Sequence, residues 1–86
     1  MVTDVLGAVA RMAAQRTEES KSNAKVVVRG EPYALARPLI FDVANALAVT
    51  TDVVIAAIEE GVRNGTLRVL RSDESGQLIA VRADPL

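Results

Sequence analysis

The side chains that could carry out chemistry are few, and their types limit the chemistry from the start. There is no His and no Cys among the 86 residues. The commonest general base and the thiolate nucleophile are therefore both missing. Glu59 and Glu60 are adjacent carboxylates on an apolar-periodic stretch, but neighbours on a helix point about 100° apart and do not converge on one metal ion or proton. Ser72 and Ser75 have no activating partner nearby in sequence and sit in a polar, Gly-containing segment that calls for small polar residues anyway. Gly61-Val62-Arg63-Asn64-Gly65 has the glycine spacing of membrane helix-packing motifs without an apolar span around it, so close packing followed by a helix cap explains it better. No catalytic, cofactor-binding or metal-binding residue is assigned, and no small-molecule ligand is expected. The remaining chemistry is that of surfaces.

Composition sets the frame for those surfaces. Half of the residues are apolar and the formal net charge is −1, which suits one small domain with a modest core. Without cysteine there is no disulfide framework, so nothing points to an oxidising compartment. The N-terminus lacks a basic region followed by an apolar run, and the longest apolar run, Val53 to Ile58, is far too short for a bilayer. A soluble, cytoplasmic protein with no membrane contact is the expectation.

The elements that must position any surface follow from periodicity. Residues 3–20 read as a first helix, with Thr3 as N-cap, Asp4 in the first turn, and a stripe of Val5, Leu6, Val9, Met12 and Ala13. The polar run Thr17 to Asn23 ends it. Residues 25–29 read as a β-branched strand closed by Gly30. Glu31 to Arg37 is assigned to no element, and Pro38 is the natural first residue of the next helix because Arg37, preceding it, is biased away from helix.

Residues 38–64 then form two short helices about a turn at Val49-Thr50-Thr51. Thr50 or Thr51 serves as N-cap and Asp52 lies near the positive end of the helix dipole. The second helix buries Val54, Ala57, Ile58 and Val62 and stops at Asn64-Gly65. After Gly65 the period switches to alternation. Two strands flank the turn Ser72 to Gly76, forming a hairpin over residues 66–82.

Leu47-Ala48-Val49, Val54, Ala57-Ile58 and Gly65 together resemble the helix-turn-helix of the winged-helix family. The resemblance covers nearly the whole chain through the order helix, strand, helix, helix, strand, strand. Ala48 replaces the usual turn glycine, and Gly61 stands where the family usually has an apolar residue, with Val62 taking over its packing. The resemblance implies an α+β winged helix in which the first strand pairs with the hairpin to give a three-stranded sheet, and it implies DNA binding, with the second motif helix in the major groove and the wing against the backbone.

Charge complicates the DNA reading. Residues 1–30 carry five basic and three acidic side chains, 31–65 two and five, and 66–86 three and three. The helix-turn-helix is thus the acidic part of the chain, and carboxylates repel phosphates. Nucleic-acid candidates are Thr51, Arg63 and Asn64 at the motif helix and Arg68, Arg71 and Arg82 on the wing, with Lys25, Arg29 and Arg37 nearby. The expected function is a small DNA-binding transcriptional regulator working mainly through the wing. The alternative is a protein-interaction module or homodimer that uses Ile55 and Ala56, ringed by Asp52, Glu59 and Glu60, with Leu70 and Leu78 on the outer side of the hairpin.

Overall fold

A computed structural model describes residues 4–18 and 25–83. Seven elements occur in the order α1 (Val5–Glu18), β1 (Lys25–Val28), β2 (Glu31–Leu35), α2 (Ala36–Leu47), α3 (Thr51–Arg63), β3 (Leu67–Arg71) and β4 (Leu78–Ala83). The class is α+β: three helices against one four-stranded antiparallel sheet of order β1-β2-β4-β3.

The expected stripe of α1 is the buried one. Val5, Val9 and Ala13 are in the core, with Leu6 and Met12 packed against it. The N-cap is Asp4, not a residue of the first turn: its Oδ1 accepts the Gly7 N–H at 2.8 Å, the cap-to-third-residue bond that a short carboxylate makes well. Thr3, the expected cap, lies outside the described residues. Thr17 belongs to the helix and is buried, its hydroxyl donating to the Ala14 carbonyl at 2.9 Å.

The segment from Glu31 to Leu35, which the sequence leaves without an element, is a strand. Gly30 does not simply close β1. Arg29 and Gly30, at φ 53° and 80°, form a two-residue hairpin turn between Val28 and Glu31. Positive φ at both central residues matches the twist of the flanking strands. Pro32 is tolerated because it stands opposite Val27 at a position where its nitrogen faces away from β1, and the ladder to β4 is recorded only from Ala34 onward. It is therefore β2, and not the strand at 25–29, that pairs with the hairpin.

Helix α2 starts at Ala36, two residues before Pro38, with Leu35 as an extended N-cap. Pro38 is then the third helical residue, whose N–H would have no partner within the helix, so the ring costs no hydrogen bond. Leu39, Ile40, Val43 and Ala44 are its buried face. The helix ends at Ala48, in the left-handed region at φ 55°, with the Val49 N–H bonding to the Ala44 carbonyl at 3.0 Å. The chain bends by 115° between α2 and α3. Thr50 caps α3, accepting the Val53 N–H at 3.4 Å.

Val54, Ala57, Ile58 and Gly61 form the buried face of α3, with Val62 packed at its margin. Gly61 is there for space: a Cβ would lie 2.7 Å from both the Leu6 and the Leu67 side chains. The sheet contributes Ala34, Leu67, Val81 and Ala83 to the same core. A register shift between Leu70 and Arg71 places Arg71 opposite Leu78 and Leu70 opposite Ala80. The extra residue, Ile79, is left exposed, while Leu78 turns back to pack on the core. Leu78 is thus not on the outer side of the hairpin, because a one-residue slip exchanges the two faces.

Candidate functional site

The exposed side of α3 is bordered by a groove of about 390 Å³ that opens between α2, α3 and the tip of the β3–β4 hairpin. Its floor is apolar and comes from three elements. Ile40 and Phe41 arrive from α2, Ile55 from α3 and Leu78 from β4. Phe41 is 53% exposed and Ile55 38%, high values for residues whose burial would be worth ~2 kcal/mol each. Ile55 was expected on the surface and is there, together with Asp52, Ala56 and Glu60. Phe41 was not anticipated. On the periodicity of α2 it stands one residue beyond the buried Ile40, and only the placement of the hairpin tip turns that solvent position into a groove wall.

The wing arginines expected to meet DNA are turned onto the protein itself. Arg71 makes a 2.5 Å ion pair with Glu59 on α3 and donates to the Gly76 carbonyl at 3.3 Å. Arg68 pairs with Glu31 of β2 at 3.3 Å. Arg82 lies 3.5 Å from the same carboxylate and donates to the Pro32 carbonyl at 3.0 Å, with its side chain only 17% exposed. Arg82 is a strut between β4 and β2, not an outward-facing wing residue. Register explains the cluster: Arg68 and Arg82 are cross-strand partners, and like charges directly opposite need an acid between them.

The other candidates at the motif helix divide. Asn64 uses its carboxamide oxygen to accept the Thr66 N–H at 3.0 Å, which holds the turn into β3 with Gly65 at φ 81°. Thr51 is half-buried on the groove wall. Arg63 is exposed and, among the described residues, carries no ion pair; the same holds for Arg37 on the groove rim. Arg16, outside this region, pairs with Asp42 and ties α1 to α2.

The arrangement offers a partly apolar surface open to a ligand. The apolar floor is walled on one side by the neutralised Glu59–Arg71 pair and on the other by the uncompensated Arg37. No family model matches this chain, and comparison with curated proteins and with solved structures returns no match either. Among the described residues no group of three or more acidic side chains could hold a metal ion, and no single helix is long and apolar enough to cross a membrane.

Proposed function

We propose that this chain is a winged-helix module that binds a short segment of another protein in the groove between α2, α3 and the hairpin tip. Three features support the fold reading. The 115° bend across a three-residue turn is the geometry of helix-turn-helix pairs. The strand order β2-β4-β3 has the strand before the motif paired with the last strand of the wing, with β1 as an addition at the edge. Ala48, in the position of the turn glycine, adopts the left-handed conformation for which glycine is usual.

The observation that carries the protein-binding reading is the coexistence of Phe41 and Ile55 on one groove with a wing whose arginines face carboxylates of the same chain. Anchoring an apolar side chain in such a groove, with a partner carboxylate toward Arg37, follows the pattern of buried anchors ringed by polar contacts. DNA binding is the second reading, favoured by the helix-turn-helix geometry and by Arg63 and Arg37. It has to overcome Asp52, Glu59 and Glu60 on the face that would enter the groove of the duplex.

Purified protein titrated with random duplex DNA across a salt series, alongside pull-downs from extract with the wild type and the Phe41→Asp and Ile55→Asp variants, separates the two. Protein binding predicts one set of captured partners lost in both variants, with no salt-steep DNA affinity. Micromolar DNA binding that falls steeply with salt, weakens in Arg63→Ala and survives Ile55→Asp would overturn it.

A further inference from the structure

The two edges of the sheet are β1 and β3, and they are built differently. Edge β3 is interrupted by the register shift at Leu70/Arg71, and its arginines reach across to Glu31 and Glu59. A bulge and charges of this kind are how natural sheets discourage pairing at an edge. Edge β1 has no bulge, and its residues Val26 to Val28 are uncharged. It reads Lys25-Val26-Val27-Val28, with no proline and a regular register throughout.

The hairpin turn fixes which backbone groups of β1 remain open. A two-residue turn closes on a hydrogen-bonded pair, here Val28 with Glu31, and hydrogen-bonded and non-bonded pairs alternate along the ladder. Val26 and Tyr33 are then bonded, while Val27 opposite Pro32 is not. The N–H and C=O of Val27 consequently point out of the sheet. Val27 is 62% exposed, the most exposed of the large apolar residues described.

Charge specifies what fits. Lys25 and Arg29 flank Val27 two residues on either side, and among the described residues neither has an ion pair. Arg29 holds its place at φ 53°, where asparagine or glycine would fit with less strain. Outliers of this sort accumulate where a side chain has a task. A second copy of the chain, paired antiparallel about Val27, would bring Lys25 of each copy close to Arg29 in the turn of the other. Like charges brought together across a strand pair are destabilising, so the edge selects against itself.

We propose that β1 accepts an extended segment of a partner protein as a fifth strand, one with an apolar or β-branched centre flanked by carboxylates two residues away on each side. Main-chain bonds to Val27 supply the docking, and Lys25 and Arg29 supply the selection. This surface is separate from the α2–α3 groove and does not depend on it.

The probe is the peptide acetyl-Glu-Val-Thr-Val-Glu-amide, with acetyl-Lys-Val-Thr-Val-Lys-amide as control, titrated into the isotopically labelled full chain and followed by backbone amide NMR. The acidic peptide is expected to shift Val26 to Val28 and to protect the Val27 amide from exchange. It should bind about tenfold or more tightly than the lysine peptide at low salt, and that preference should shrink as salt screens it. Val27→Pro, which removes an N–H that β2 does not use, should abolish the shifts with the fold intact. The double charge reversal Lys25→Glu with Arg29→Glu should invert the peptide preference, which keeps the test decisive if the proline variant misfolds. Equal binding of both peptides, shifts confined to the Phe41–Ile55 groove, or a concentration-dependent dimer lost in Val27→Pro would each overturn the proposal.

Discussion

The hairpin β3–β4 and the hairpin β1–β2 are both cationic in sequence, yet they put their cations to opposite uses. In β3–β4, Arg68, Arg71 and Arg82 all meet carboxylates that folding brings to them, two at Glu31 and one at Glu59. In β1–β2, Lys25 and Arg29 meet none among the described residues. The number of basic residues in a segment therefore says little about the field it presents. What matters is whether the register and the neighbouring helix deliver an acid within reach, and across the wing both do.

The largest effect is expected where the β3–β4 hairpin packs on α3. Gly61 lets β3 and α1 approach α3, and Gly61→Val is expected to destabilise the fold by about 1–3 kcal/mol, since Leu6 and Leu67 cannot both give way. Urea denaturation would read this as a lower midpoint at constant slope. An unchanged midpoint would mean that Leu67 and Leu6 do not pack on Gly61.

The open hairpin offers a change of opposite sign. Arg29→Asn places an Asn-Gly pair in a turn that needs positive φ at both residues, and should stabilise the fold by about 0.5–1 kcal/mol. Thermal unfolding measures it. If the bond network of β1 instead loosens, Arg29 is making a contact that its exposure hides.

Glu31→Gln removes the acid shared by Arg68 and Arg82. Half-exposed ion pairs contribute little, so the loss of stability should stay within about 1 kcal/mol. The surface effect should be larger: with one carboxylate fewer beside Arg68 and Arg82, any salt-sensitive affinity for duplex DNA is expected to rise above that of the wild type. A wild type that already binds as well as the variant would show that the intramolecular pairs do not mask the arginines of the β3–β4 hairpin. The smallest effect belongs to Val27→Thr, at the most exposed position of β1. It should change stability by no more than about 0.5 kcal/mol, because the side chain packs on little. A larger loss would mean that this edge is covered.

Much of the architecture is legible in the chain. The stripes of α1 and α3, the Asn64-Gly65 stop and the alternation after Thr66 are local patterns with a single good solution, and they appear where periodicity puts them. Two features near prolines were not legible: Glu31–Leu35, which contains Pro32, is assigned to no element by its sequence, and Pro38 makes α2 look as though it begins late. In each case a missing N–H matters only if a partner was waiting for it, and partner positions are set by register and helix phase. The bulge at Leu70/Arg71 likewise leaves no mark in composition, yet it decides that Leu78 faces inward and Ile79 outward.

The candidate site was half visible. Ile55 and its acidic ring follow from the phase of one helix. Phe41 joins them only because a 115° bend and the returning hairpin bring α2, α3 and β4 to one place. By itself, the sequence determined which faces of α1 and α3 are apolar and where α3 starts and stops, because those depend on residues a few positions apart. The tertiary structure alone decided which charges cancel, which strand edge stays open and which apolar residues share a groove, because these depend on pairs as distant as Glu31 and Arg68, for which linear order carries no distance.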